Sequence, residues 1–128
     1  MAFLVLILLQ VLHSVEEFTF KFYEVFPPMA LLYRGAPRLA GPAFIISNSL
    51  LITVGLVCFF HWVAPGRPGA RVVIWLWVGA EVLNAMAHSV WAIMVGGYNP
   101  GLVTSLGFVP VAAYMIYLLR RAPPEVVA

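Results

Sequence analysis

The stretch MAFLVLILLQVLHSVEEFTF (1–20) combines a long apolar run with three titratable side chains, His13, Glu16 and Glu17. It is long enough for a helix that crosses the hydrocarbon core of a bilayer, which takes about 20 residues. A charged side chain at that depth costs at least about 3 kcal/mol. The stretch therefore predicts a membrane-spanning helix whose polar residues have a specific partner inside the protein.

The composition of the whole chain is that of an integral membrane protein. Of the 128 residues, 63% are hydrophobic and 9% are charged, whereas soluble domains carry about 25% charged residues. A soluble chain of this length could not bury so much apolar surface. The net charge of +2 comes without a cluster of Lys and Arg, so we predict no nucleic-acid partner. We therefore expect the protein to be embedded in a lipid bilayer.

Three further apolar stretches follow the first, and segments rich in Pro and Gly separate them. Helices are required in each stretch because no backbone group can stay unpaired in lipid. The predicted spans are residues 2–23, 43–63, 72–95 and 102–119. MALLY (29–33) predicts a short interfacial helix in the longest loop. The prediction is an all-α fold over residues 1–128, one domain in which four transmembrane helices form a bundle around a polar site.

Basic residues give the orientation of the four spans. The side that holds the N-terminus carries Arg67, Arg71, Arg120 and Arg121, and the other carries Lys21, Arg34 and Arg38. The positive-inside rule slightly favours the first side as cytoplasmic. The first stretch lacks a basic segment and a small-residue cleavage motif before Glu16, so we predict a retained span. Small residues and short loops are compatible with a bacterial inner membrane.

The intramembrane polar residues share one depth range. In an antiparallel bundle, the polar residues of the first span, His13, Glu16 and Glu17, lie in one half of the bilayer. The polar residues of the later spans lie in the same half; they are Asn48, Glu81, Asn84, His88, Thr104 and Ser105. At about 100° per residue, the polar residues of the first span cover roughly 100°, and Glu81, Asn84 and His88 roughly 60°. Each helix therefore presents one polar stripe, and the stripes are expected to face each other. Asn48 is interpreted as a helix–helix contact.

The polar stripes lack a basic counter-charge, because every Lys and Arg lies in a loop, at a span end or in the tail. The missing positive charge is either protons or a metal ion. Imidazole and carboxylate are common ligands of zinc and iron, and bundle cores use Glu-x-x-His spacing for metals. Here the order is reversed, as His13-x-x-Glu16. We predict a divalent metal ion, zinc or iron, with His13, Glu16, Glu17 and His88 as ligands and Glu81 as the next candidate.

Catalytic and substrate roles follow from the same residues. Glu16 and Glu81 are the predicted catalytic carboxylates, since a general base beside a metal-activated water allows hydrolysis. A di-iron arrangement would instead oxidise a lipid-like substrate. Asn84 and Tyr98 are the predicted substrate contacts. Alternatively, Asn84 is a ligand or orients His88, and Tyr98 belongs to an aromatic belt at the membrane interface.

The chain resembles the HXXEE family of small membrane proteins, whose signature reads here His13-Ser14-Val15-Glu16-Glu17. The resemblance extends to Asn84 and His88, and to YNPGLVT (98–104), which is similar to the family's Tyr-x-Pro-Gly-x-x-Thr element. It implies that these residues form the site. It implies no reaction, because the family has no established activity.

Two other classes of function remain open. A proton-coupled carrier or ion-binding subunit would use the same carboxylates without metal. It is expected to form a homo-oligomer, because four short helices enclose little volume. A structural or regulatory subunit would keep its function after both His13 and His88 are replaced.

Overall fold

Long helices make up most of the computed structural model, which describes residues 1–121. The long helices are α1 (Ala2–Thr19), α4 (Ala40–Cys58), α5 (Ala70–Val95) and α6 (Leu102–Arg121). Two short helices, α2 (Phe22–Val25) and α3 (Pro27–Leu32), follow α1. A 3-10 turn at Pro37–Leu39 leads into α4, and a π-helical turn at Phe59–Val63 continues it. The tail at 122–128, which the predicted single domain includes, lies outside the described residues.

Four segments of the described chain are long and apolar enough to cross a membrane. They are Ala2–Thr19, Pro37–Val63, Ala70–Val95 and Leu102–Arg121. Residues 1–121 contain helices and no strand, and a His/Glu cluster is buried among the helices. The predicted all-α bundle with an interior polar site is therefore confirmed, and α3 matches the short helix expected in the longest loop.

The first span ends earlier than the predicted residue 23. The α1 helix stops at Thr19, and Lys21 has φ 55 in the left-handed region. This turn redirects the chain into α2, so Phe22 begins a separate helix. The second segment begins at Pro37, ahead of the predicted residue 43, because Pro37 opens the 3-10 turn that runs into α4. Proline suits such a position, since its missing N–H would have no partner in the first turn.

The apolar core lies around the N-terminal half of α1. Here α1 packs against α4 and α6, while α5 packs against α6. The Phe3 ring stacks at 6.4 Å on Phe59 and meets the edge of Trp77 at 6.0 Å. Leu6 and Phe108 are fully buried beside them. The N-terminal half of α1 therefore contributes to the apolar core, and its C-terminal half, which carries His13 and Glu17, contributes to the polar cluster.

Candidate metal centre

Three buried side chains from two helices meet in the polar half of the bundle. His13 and Glu17 lie one turn apart on the same face of α1, and His88 projects from α5. The Glu17 Oε1 atom is 3.4 Å from His13 Nε2 and 3.3 Å from His88 Nε2. One ligand atom from each side chain lies within 4.8 Å of the other two. This spacing allows all three to bind a single metal ion.

The His13 ring is held through its other nitrogen. Its Nδ1 is 3.0 Å from the Thr104 hydroxyl, and that hydroxyl donates its proton to the Glu16 carboxylate. Since a hydroxyl has one proton, His13 Nδ1–H must be the donor to Thr104. The Nε2 atom then carries a lone pair, to which the Asn84 amide donates at 3.1 Å. Glu17 Oε1 lies 3.4 Å from the same Nε2 atom.

The His88 ring is held in the same tautomer by Asn99. The Asn99 amide nitrogen donates to the backbone carbonyl of His88 at 2.9 Å, which fixes the orientation of the amide. The Asn99 Oδ1 atom then lies 2.8 Å from His88 Nδ1. Because an amide oxygen only accepts, His88 Nδ1–H is the donor. The Nε2 atom of His88 therefore faces Glu17, and it carries a lone pair when the ring is neutral.

Two imidazole Nε2 atoms and one carboxylate oxygen thus converge on one point. When both rings are neutral, all three atoms are hydrogen-bond acceptors, and they repel one another unless a proton or a metal ion lies between them. Every Lys and Arg of residues 1–121 lies in a loop, in a short turn or near a helix end. Histidines that bind metals almost always donate their second ring N–H to an oxygen acceptor. His13 and His88 both do so here.

Gly101 closes the cluster from the side of the loop before α6. Its φ is 91, and a Cβ built on it would lie 2.6 Å from His88 Cε1, 2.7 Å from His13 Cε1 and 2.9 Å from Glu17 Cγ. Only glycine has both the required backbone conformation and the required lack of a side chain. The backbone at Gly101 therefore fixes how close the three side chains come to the loop.

Glu16, the fourth predicted ligand, lies outside this group. Its carboxylate accepts from the backbone N–H groups of Val103 (3.3 Å) and Thr104 (2.8 Å), and from the Thr104 hydroxyl. Neighbouring residues on a helix point about 100° apart, so Glu16 cannot face the same point as Glu17. Glu16 instead satisfies free N–H groups at the N-terminus of α6, where the helix dipole favours a negative charge.

Tyr98, a predicted substrate contact, donates its hydroxyl to Glu16 Oε1 at 2.7 Å. Its ring packs edge-on against Phe20 at 5.5 Å. Partial burial, the hydrogen bond to Glu16 and the negative charge of Glu16 raise the pKa of the Tyr98 hydroxyl to about 12. Tyr98 therefore stays protonated and connects the loop to α1.

Glu81 is buried on α5, two turns before His88, and is also outside the three-residue group. With the Gln10 amide oriented so that its nitrogen faces Glu81, this nitrogen lies 3.1 and 3.2 Å from the two carboxylate oxygens. Glu81 and Glu17 both line a cavity of about 380 Å³ among α1, α4 and α5. The cavity thus places a second carboxylate near the three converging groups.

Two amide side chains that the sequence analysis named, Asn48 and Asn84, also line this cavity. Asn48 Oδ1 accepts from the Ser14 hydroxyl at 2.8 Å, so it links α4 to α1 as expected of a helix–helix contact. Asn84 lines the cavity, but it hydrogen-bonds to His13 and not to His88. The residue that orients His88 is Asn99, which sequence reasoning placed only in a turn. Asn99, Gly101 and Thr104 all belong to the YNPGLVT segment, and the resemblance of this segment to the family element was the sequence feature that indicated them.

The residues of the site lie within the part of the chain that a known family covers. A family model described as a protein of unknown function with HXXEE motif matches residues 4–115. The match includes His13, Glu17, His88 and the segment before α6. Curated proteins and solved structures gave no match. The chain therefore belongs to the HXXEE family of proteins of unknown function.

Proposed function

We propose that His13, Glu17 and His88 bind one divalent metal ion, zinc or iron, and that the protein is a membrane-embedded metalloenzyme. One observation carries this proposal. Both imidazoles donate through Nδ1 to an oxygen, and both Nε2 atoms face Glu17 Oε1, at 3.4 and 3.3 Å. A divalent ion would convert three mutually repelling acceptors into three ligands. It would take the place of the Asn84 hydrogen bond at His13.

Two histidines and one carboxylate leave coordination positions free on either metal, as in catalytic zinc sites and in non-haem iron oxygenases. When bound, zinc would supply an activated water for hydrolysis, and iron would supply oxidation chemistry. Three ligands within 4.8 Å of one another favour one ion over the di-iron arrangement. The reaction proposed is therefore a hydrolysis or an oxidation at a single metal.

The other proposed roles at the site belong to residues around the ligands. Glu81 is the proposed general base, because it is buried on the same cavity as Glu17 and can reach a substrate directly or through one water. Asn84, on the cavity wall, is the proposed substrate contact. Glu16 acts through Thr104, which holds the His13 tautomer. Glu16 is therefore proposed as a positioning residue, and Tyr98 supports it.

The proposed substrate is lipid-like. The cavity lies within the membrane-crossing segments, and leucine, tryptophan and alanine side chains form its apolar wall. A water-soluble substrate would have to leave water to reach it. The short loops are compatible with a protein of the bacterial inner membrane.

A proton-coupled carrier is the second candidate, and one distance favours it. The 3.3 Å between His88 Nε2 and Glu17 Oε1 is an ion-pair distance when His88 is protonated. A proton on His88 would then supply the positive charge, and no metal would be needed. The two candidates differ in the metal content of the purified protein.

The test is elemental analysis of detergent-purified protein. Wild type is compared with the double variant His13→Ala/His88→Ala and with the control His61→Ala, whose ring lies exposed beside Arg67. We expect about one zinc or iron per chain in wild type and in the control, and none in the double variant. Wild type that stays metal-free, even after reconstitution with zinc and with ferrous iron, would overturn the proposal.

A second variant separates loss of metal from loss of fold. Glu17→Gln keeps the volume of the side chain but removes the charge that a metal ligand needs. We expect it to elute as wild type does from a sizing column and to contain less metal. Full metal content in Glu17→Gln would remove Glu17 from the ligand set.

A further inference from the structure

The cavity among α1, α4 and α5 has more free acceptors than free donors. Most of the side-chain N–H donors on its wall already have partners within the protein: Gln10 donates to Glu81, Asn48 to the carbonyl of Phe44, and Asn84 to His13 and Glu81. The indole N–H of Trp77 is the other donor type among the lining residues. The buried carboxylates of Glu17 and Glu81 can only accept when ionised. A ligand in the cavity is therefore recognised best by groups that it donates.

The charges on the cavity wall also favour a ligand that donates hydrogen bonds. Glu17 and Glu81 both line the cavity, and its lining residues include no Lys or Arg. When Glu17 and Glu81 are ionised, an anionic head group, such as a carboxylate or a phosphate, would meet like charges in a medium of low dielectric constant. A neutral hydroxyl avoids this repulsion, and a protonated amine gains an ion pair.

The mouth of the cavity faces the bilayer. Leu51 on α4 and Leu76 on α5 line it, and their side chains are 41% and 69% exposed on the outer surface of the bundle. Both residues lie in the interior of membrane-crossing segments. A molecule that enters between them arrives from lipid and keeps its apolar part there.

The volume limits the size of the ligand. At about 380 Å³, the cavity is near the lower end of the range of small-molecule sites. Such a volume admits one polar head group and the first part of one chain. The remainder of the chain can extend past Leu76 into the bilayer.

We propose that this cavity binds a single-chain amphipathic molecule that enters sideways from the bilayer and whose head group, an alcohol or a protonated amine, donates hydrogen bonds to Glu81. This inference rests on the proposed function, because the cavity shares His13 and Glu17 with the proposed metal site. It adds to that function a substrate class, a route of entry and the residue that recognises the head group.

The probes are three twelve-carbon compounds with a photoreactive diazirine in the chain: an alcohol, an amine and a carboxylic acid. Each is added to wild-type protein in phosphatidylcholine nanodiscs, and labelled peptides are identified by mass spectrometry. We expect the alcohol or the amine to label α4 and α5 near Leu51 and Leu76, at least about tenfold more than the acid. Equal labelling by the acid would overturn the inference.

Two matched variants test the location. Ala80 lies exposed on the cavity wall, so Ala80→Phe fills the mouth without entering the core. Ala113→Phe places the same ring on a separate apolar groove of α5 and α6. We expect Ala80→Phe to lower labelling about tenfold and Ala113→Phe to change it less than about twofold. Labelling of Ala80→Phe at the wild-type level would overturn the proposed site.

Glu81→Gln distinguishes the two head groups. If the head group is an amine, the variant loses labelling by the amine and keeps that by the alcohol. If it is an alcohol, labelling by the alcohol falls as well, because a hydrogen bond to a carboxylate is stronger than one to an amide. Unchanged labelling by both probes would remove Glu81 from the site.

Metal content, measured on the same preparations, keeps the two proposals separable. Absent labelling in protein that holds its metal overturns the ligand site alone. Specific labelling in protein that takes up no zinc or iron overturns the metal site alone.

Discussion

The Glu16 carboxylate on α1 accepts hydrogen bonds from both the backbone N–H and the hydroxyl of Thr104 at the start of α6. The same hydroxyl accepts the Nδ1 proton of His13. Thr104 thus connects Glu16 to His13, while Glu17 faces His13 from the other side of the ring. The two adjacent glutamates of the signature therefore serve different purposes, one at a helix end and one at the proposed metal site.

Thr104→Val removes the hydroxyl but keeps the shape of the side chain. We expect metal affinity to fall about 10- to 100-fold, because His13 loses the acceptor that fixes its tautomer. Competition with a chelator of known affinity measures this change. Thr104→Ser, which keeps the hydroxyl, is the control. Equal affinities in the two variants would show that Thr104 does not orient His13.

Gly101→Ala places a methyl group within 2.6–2.9 Å of three side chains of the site. Gly96→Ala is its matched control, since Gly96 also has a positive φ of 68 but has no atom within 4 Å of the added Cβ. Both variants carry left-handed strain of about 1–2 kcal/mol. We expect only Gly101→Ala to lose metal, as measured by elemental analysis. Metal loss in both variants would mean that backbone strain alone explains it.

Asn99→Ala removes the acceptor of His88 Nδ1–H. Nitrogen-15 NMR of metal-free wild type is expected to show a proton on Nδ1 of both His13 and His88, and Asn99→Ala is expected to change the signal of His88 alone. The free energy of unfolding should fall by about 1–3 kcal/mol, because a buried polar pair is broken. Ser89→Ala, one residue from His88, removes only a bond to the Ala85 carbonyl and serves as the control. A wild-type His88 signal in Asn99→Ala would contradict the assignment.

Tyr98 makes stability fall at high pH. Its pKa is about 12 in the folded protein against 10.0 for the free side chain. The folded state therefore holds more protons than the unfolded state between these values, and stability decreases as pH rises from about 10 to 12. Thermal unfolding across this range should show a flatter dependence in Tyr98→Phe than in Tyr114→Phe. Identical slopes in both variants would contradict the role of Tyr98.

Lys21→Gly should stabilise the turn between α1 and α2. Lys21 is the one non-glycine residue with positive φ within residues 1–121, and relief of this conformation is worth about 1 kcal/mol. The exposed ion pair with Glu24 at 3.2 Å is worth little. Lys21→Ala loses the ion pair but keeps the strain, so it is the control. Chemical unfolding should rank Lys21→Gly above Lys21→Ala, and the reverse order would contradict this account.

The number of spans and the depth of the site could be predicted because lipid imposes strict rules. Long apolar runs must become helices, and polar residues that share a depth on antiparallel spans must meet. Helical phase brought His13, Glu17 and His88 together correctly. It could not separate Glu16 from the group, since a sector of about 100° is too wide to distinguish adjacent positions.

The loop residues around the histidines could not be predicted. Asn99 and Gly101 reach His13 and His88 only through the path of residues 96–101, which helical periodicity does not describe. The depth of Thr104 in α6 was expected, but its hydrogen bonds to His13 and Glu16 were not. The end of α1 was missed for a related reason. Lysine at position 21 is not a turn-forming residue type, so nothing local indicated its left-handed conformation.

The proposed ligands and the residues that hold them come from different parts of the chain, so they are synthesised in a fixed order. His13 and Glu17 emerge from the ribosome with α1, and His88 follows with α5. Asn99, Gly101 and Thr104 arrive afterwards, and Glu16 has no N-terminal N–H groups of α6 to bind until then. A nascent chain thus carries the Glu16 carboxylate through the insertion machinery without these partners, and the site is complete only after α6 has been synthesised. A premature stop codon before α6 would leave this polarity unshielded, which would make the truncated product a substrate for membrane proteases.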